Sequence, residues 1–124
     1  MDGLLRGLRV LIVEDEALIL MLLEEMLNEL GAVVAAQAST VPEAIALATR
    51  GGFDIAVLDL NLGGEKVFPV AQALKATGLP FVFASGYGAS EVPAEFAGCP
   101  VVAKPYDIER LASALTNSLS ASAK

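Results

Sequence analysis

The sequence contains no histidine and no tryptophan, a single cysteine, and only 6% aromatic residues. Without histidine there can be no His-ligated metal centre, no Ser-His nucleophile and no phosphohistidine carrier. A phosphoryl group passing through this protein must therefore come from another molecule. The lone thiol, Cys99, leaves no internal disulfide, and an apolar setting with no basic residue beside it makes an inert thiol the expectation. Positive charge is scarce as well: 8 Lys and Arg stand against 15 Asp and Glu, for a formal net charge of -7. That field repels phosphate backbones and anionic lipid surfaces, so neither nucleic acid nor membrane is expected as a partner. The longest apolar run in the first helical stretch, residues 17–23, is far short of a membrane span. With no leader-like segment at the start, the cytoplasm is the expected location.

What is present suits one domain spanning residues 1–124. At 55% hydrophobic residues, the chain can build a core on both faces of a sheet. Leu8 and Val10 to Val13 form a short apolar run ended by Glu14-Asp15-Glu16, the pattern of a strand buried on both faces. Leu18, Leu22, Met26 and Leu30, joined by Ile19, Leu23 and Leu27, then recur at helical spacing before Gly31. Leu20 and Met21 widen that apolar arc, and an exposed remainder would suit a partner or a dimer. Residues 32–36 read as a second strand. Thr40 and Glu43 have capping-box spacing, with Pro42 in the first turn of the next helix.

Ile55-Ala56-Val57-Leu58 reads as a buried strand that ends on Asp59. Gly63-Gly64 follows, read as loop freedom, and then a third helix that runs to about Thr77 and tolerates Pro69 only in its first turn. Phe81-Val82-Phe83-Ala84 makes a fourth strand leading into Ser85-Gly86-Tyr87. Pro93 and a shortage of large apolar residues predict a short or mobile fourth helix. Residues 100–103 form a fifth strand ending at Lys104-Pro105, and Asp107 caps a last helix with Leu111, Leu115 and Leu119. Alternating strands and helices with short connections predict a flavodoxin-like, doubly wound (βα)5 fold, an open five-stranded parallel sheet of order 2-1-3-4-5.

In that order every polar strand end faces one edge. Glu14, Asp15, Asp59, Ser85 and Lys104 collect there. Crowded acids favour a hard cation with oxygen ligands, such as Mg2+. The set suits phosphoryl transfer, with Asp59 as nucleophile, Asp15 and Glu14 as metal carboxylates, Lys104 as balancing cation and Ser85 as the hydroxyl that meets a phosphoryl oxygen.

In order and spacing, these residues resemble the response-regulator receiver domains of two-component signalling, over the whole chain. The resemblance implies phosphorylation of Asp59, with hydrolysis of its own acyl phosphate as the sole turnover. It also implies Mg2+ held by Asp15, Asp59 and the Asn61 backbone carbonyl, Glu14 acting through a metal-bound water, and a cis Lys104-Pro105 bond. Residues 80–88 resemble the Phe-Ala-Thr-Gly-Tyr signature of alphaproteobacterial single-domain receivers, with Ser85 for Thr. That subgroup implies a sensor histidine kinase of the HWE or a related class, or a histidine phosphotransfer protein, as phosphodonor in general stress signalling. The output would be a target or relay in trans, and the protein a monomer or weak dimer. Two departures from the wider family fit the subgroup: Val101 stands where a switch aromatic is usual, and Leu62-Gly63 replaces the usual Met-Pro. Tyr87 is therefore expected to share the switching role with Ser85. A phosphorylation-independent pseudo-receiver is the alternative. A phosphohydrolase would want an acid where Asn61 stands, and a flavin binder would want a phosphate loop where the first acids stand.

Overall fold

Each apolar run read as a strand in the sequence becomes a strand of one parallel sheet, with helices between the strands. The computed structural model of the chain describes residues 5–86, 92–104 and 106–122, with side chains as far as 120. The elements are β1 (Arg9–Val13), α1 (Ala17–Glu29), β2 (Val33–Ala38), α2 (Val41–Arg50), β3 (Ile55–Asp59), β4 (Asn61–Leu62), β5 (Glu65–Lys66), α3 (Phe68–Ala76), β6 (Phe81–Ser85), β7 (Val101–Ala103) and α4 (Ile108–Ser122). The main sheet has the order β2-β1-β3-β6-β7. This is the expected 2-1-3-4-5 order, its last two strands renumbered because β4 and β5 intervene.

Side chains alternate across β3 and divide the core in two. Ile55 and Val57 pack with Leu23 and Leu27 of α1 and Leu111 and Leu115 of α4. Ala56 and Leu58 face α2 and α3 through Ala44, Ala48, Val70 and Leu74. Burial on both faces is why β1, β3 and β6 read as unbroken apolar runs. Full burial of each large aliphatic side chain contributes roughly 1.5–3 kcal/mol. Phe68, Phe81, Phe83 and Phe96 form a cluster with edge-to-face and stacked contacts. This cluster fixes a 3-10 turn at Ala94–Phe96, the only helical element among the described residues of the fourth connection, in keeping with the short helix expected there.

The helix starts follow their local chemistry. The Thr40 hydroxyl accepts the Glu43 amide at 3.3 Å and the Glu43 carboxylate accepts the Ser39 amide at 2.9 Å, a capping box shifted by one residue. Asp107 accepts the Glu109 amide at 2.9 Å and opens α4.

One expectation is narrowed and one needs correction. Of the apolar face read for α1, Ile19, Leu22, Leu23, Met26, Leu27 and Leu30 pack on the core, while Leu18 does not. Leu23 and Leu27 are fully buried, whereas Leu18 is 80% and Met21 55% exposed. On a helix apolar nearly all round, periodicity alone cannot say which stripe the sheet will cover. Nor does a helix follow Gly63-Gly64 directly: β4 and β5 pair antiparallel about these two residues. Gly63 has φ +58° and Gly64 φ +87°, the sign a tight type I′ turn demands at both central positions. The glycine pair therefore sets a hairpin instead of freeing a loop. The α3 helix starts after it, with Pro69 in the first turn as required.

Candidate functional site

The register of the sheet assembles the site. Val13 pairs with Leu58, Asp59 with Ala84, and Ser85 with Ala103. Each strand therefore delivers its polar terminal residue to the same edge, with Glu14 level with Asp59 and with Ser85 and then Lys104 each one residue further along. Glu14, Asp59 and Ser85 are buried there, at 2%, 5% and 1% exposure, while Asp15 is exposed.

Lys104 Nζ lies 3.1 Å from Asp59 Oδ1 and 3.6 Å from Glu14 Oε1. The Lys104 amide donates to the Ser85 carbonyl at 3.0 Å, tying the lysine's backbone to the end of β6. Asp59 Oδ1 also accepts the Asn61 amide at 3.3 Å. The hairpin closes over the acids: Gly63 N–H donates to Asp15 Oδ2 at 2.9 Å, and Lys66 Nζ to Asn61 Oδ1 at 2.7 Å. Glu16 is the N-cap residue of α1 and makes no side-chain cap. Its amide instead donates to Glu14 Oε2 at 3.1 Å.

Burial pushes the Glu14 carboxyl up to about 7, with the neighbouring Asp59 carboxylate adding to the effect against the opposing pull of the Glu16 amide and Lys104. Burial works against the Lys104 ammonium, yet its hydrogen bond to Asp59 and the charges of Asp59, Glu14 and Glu16 hold it above the ordinary lysine value. Cys99 is raised by burial against a weaker opposing pull from Lys75. That lysine is a basic neighbour the sequence order hides, but the thiol still stays protonated.

The raised Glu14 value has a consequence for stability. The folded protein binds this proton more tightly than the unfolded chain, whose carboxyl keeps the ordinary 4.5. The resulting stabilisation is complete below 4.5 and is lost as pH rises through about 7. Thermal melts in chelator between about pH 5 and about pH 8 are expected to show a fall in midpoint for the wild type that is markedly shallower in Glu14→Gln. Equal slopes would show that another group carries the dependence.

Among the described residues, oxygen atoms of Glu14, Asp15 and Asp59 lie within 4.8 Å of one another. Hard carboxylate donors this close, one of them with a buried oxygen that has no hydrogen-bond partner, fit a divalent cation such as Mg2+. The Asn61 carbonyl lies on the same short hairpin. Val101, in the place of the usual aromatic, is half-buried against the α2–α3 side of the core. Tyr87 and the Lys104-Pro105 bond lie outside the described residues. The residue that the reading of the sequence passed over is Tyr106, buried two positions after Lys104. Its only sequence signal is an aromatic hydroxyl next to a functional strand end.

The comparisons agree with this geometry. The response regulator receiver domain model matches residues 10–116. The chain is 30% identical over 112 residues to the sensory transduction protein LytR of Staphylococcus haemolyticus, covering 87% of this chain and 44% of that protein. The chain thus spans less than half the length of this curated relative. The solution structure of SdrG from Sphingomonas melonis Fr1 is 45% identical, with a TM-score of 0.81, over 91% of this chain and 97% of that one. The BeF3-activated conformation of SdrG, from Pseudomonas melonis Fr1, is also 45% identical, with a TM-score of 0.76, over 88% and 93%. No helix among the described residues is long and apolar enough to cross a membrane. With acids, hydroxyl and lysine at the ends of the strands that the family model spans, this chain belongs to the response regulator receiver domain family of two-component signalling.

Proposed function

We propose that this receiver domain is a phosphorylation switch in the cytoplasm, accepting a phosphoryl group on Asp59 from a phosphohistidine of a partner kinase or phosphotransfer protein in a Mg2+-dependent reaction. The observation that carries this is Asp59 itself, a carboxylate buried at a strand end with Lys104 Nζ 3.1 Å away and two further acids beside it. Burying charge at this level costs several kcal/mol per ion in general, and a structural role would be served by fewer charged groups.

In the proposed step an Asp59 oxygen attacks phosphorus in line. A P–O bond forms as the P–N bond to the donor imidazole breaks, and the imidazole leaves with the bonding electron pair and gains a proton from solvent. Lys104 follows the growing charge on the equatorial oxygens, and the Ser85 hydroxyl donates to one of them. Tyr87 is proposed to join Ser85 in reporting the change. Glu14, Asp15, Asp59 and the Asn61 carbonyl would hold Mg2+, which supplies positive charge against the phosphoryl oxygens. Water later attacks the mixed anhydride, returning the carboxylate and inorganic phosphate.

Leu18 and Met21, exposed on the first turns of α1, offer apolar area beside the acids to the donor protein. A 45% identical relative has a BeF3-activated conformation, and BeF3 coordinated to a carboxylate oxygen has the tetrahedral shape and the charge of a phosphoryl group. That supports the switch, and the resemblance of residues 80–88 to the Phe-Ala-Thr-Gly-Tyr signature supports placing it in general stress signalling with an HWE-class or related kinase and an output in trans. Incubation with a small acyl phosphate, and separately with a panel of phosphorylated histidine kinases, tests the reading. One added phosphoryl mass that requires Mg2+ and is labile to base is the expected result. No modification by any donor would favour a binding module that works without phosphorylation.

A further inference from the structure

The three acids of the cluster are not held alike. Glu14 and Asp59 are fixed by burial at the ends of β1 and β3. Asp15 is exposed, and a solvated side chain that must be ordered when a cation binds costs the site part of its affinity. Its carboxylate nevertheless lies within 4.8 Å of the other two. Among the described residues, the contact that holds it there is the Gly63 amide, 2.9 Å from Asp15 Oδ2 and 48 residues away in the chain.

The β4–β5 hairpin brings Gly63 to that place. With φ of +58° and +87°, Gly63 and Gly64 turn the chain tightly between the two strands. A Cβ added to Gly63 would meet Asp15 Oδ2 at 3.8 Å, so the turn lies directly against the carboxylate. A two-stranded hairpin is marginal by itself, and this one has two anchors. Leu62 is buried with Leu60 and Val67 in the core under α3, and the Val67 amide donates to the Leu60 carbonyl at 3.0 Å where the hairpin closes. The second strand, Glu65 and Lys66, is exposed. Its side-chain tie to the first is Lys66 Nζ, which donates to Asn61 Oδ1 at 2.7 Å across the paired residues.

We propose that this hairpin is a positioning element of the cation site: the Gly63 amide orients the Asp15 carboxylate toward Glu14 and Asp59, and the contact of Lys66 with Asn61 keeps that amide in place. One N–H on Oδ2 leaves the remaining lone pairs of the carboxylate to a cation. It also cancels none of the negative charge that draws a divalent ion, as an ion pair would. Donors placed behind a metal ligand in this way set its direction. The inference rests on reading the three acids as a cation-holding cluster.

Two measurements test this in Lys66→Met, Gly63→Val and Gly63→Asn: Mg2+ affinity, by amide shifts or calorimetry, and hydrogen exchange of the residue 63 amide in chelator. By charge alone, removing the Lys66 ammonium from near the acids would tighten Mg2+ binding; by position it should weaken it, so the sign separates the two. Lys66→Met is expected to bind Mg2+ about 10-fold more weakly, the scale seen when a group behind a metal ligand is lost, with faster exchange of the Gly63 amide. Gly63→Val should also lose affinity, because a β-branched residue does not take the positive φ that aims the amide. Asparagine tolerates that angle, so Gly63→Asn should keep both affinity and protection. Unchanged or tighter binding in Lys66→Met, equal binding by Gly63→Val and Gly63→Asn, or weaker binding in Lys66→Met with the amide still protected would overturn the positioning role and leave the phosphoacceptor reading untouched. Failure of the wild type itself to take up Mg2+ would overturn both the positioning role and the Mg2+ dependence.

Discussion

Asp59→Asn is expected to take up no phosphoryl group from any donor while remaining folded. The amide matches the carboxylate in shape, and its oxygen can still accept the Lys104 and Asn61 hydrogen bonds that Oδ1 receives at 3.1 and 3.3 Å. It cannot act as the nucleophile, because the charge on the attacking oxygen is gone. Stability should change little, since two effects oppose each other. Lys104 loses one anionic partner, and Glu14 loses the neighbour whose charge helps raise its carboxyl to about 7. Intact-mass measurement after treatment with acyl phosphate and Mg2+ reads the first effect, and thermal melting reads the second. Modification of Asp59→Asn at the wild-type level would move the chemistry to another carboxylate, Asp15 being the exposed one nearby.

Lys104→Met should have the second largest effect, and here both stability and chemistry suffer. The lysine is the one cation within salt-bridge distance of two buried carboxylates among the described residues. Methionine keeps the length and apolar stem but leaves Glu14 and Asp59 facing each other unneutralised. Removing one partner of a fully buried ion pair costs roughly 3–5 kcal/mol. The loss here should be smaller, because Glu14 already holds its proton near neutrality and can become fully neutral. Denaturant unfolding in chelator should show the loss, and added Mg2+ should recover part of it by supplying the missing charge. Phosphorylation should be slowed even in Mg2+, because no ammonium follows the phosphoryl oxygens. A variant as stable as the wild type in chelator would mean that the two carboxylates are less crowded than the distances indicate.

The two effects separate the roles of the site. In the proposed switch Asp59 would supply the bond-forming oxygen, while Lys104 and a cation would share the work of making a crowd of acids tolerable. Because Glu14 is the acid that yields by taking a proton, conditions without metal favour a closed pair between Lys104 and Asp59. Cation binding then competes with protonation of Glu14, so Mg2+ affinity should rise with pH through the same range in which the metal-free fold loses stability.

The residue order by itself determined the alternation of strands and helices, the sheet order, and Glu14, Asp15, Asp59, Ser85 and Lys104 as a candidate site at one sheet edge. These follow from short-range physics. A strand buried on both faces must be apolar, so a charge at its end stands out, and right-handed crossovers leave few ways to order five such strands. The tertiary structure decided the rest. Which stripe of α1 is covered depends on how the helix lies on the sheet, because Leu18 and Leu23 are alike in sequence. Of the adjacent acids Glu14 and Asp15, the sheet edge buries the first and exposes the second. Gly63-Gly64 forms a hairpin because β4 and β5 find each other and because Gly63 meets Asp15, 48 residues earlier in the chain. The burial of Tyr106, two residues after Lys104, is of the same kind, since the sheet and the helices that cover it come together only when the whole sheet has closed in register.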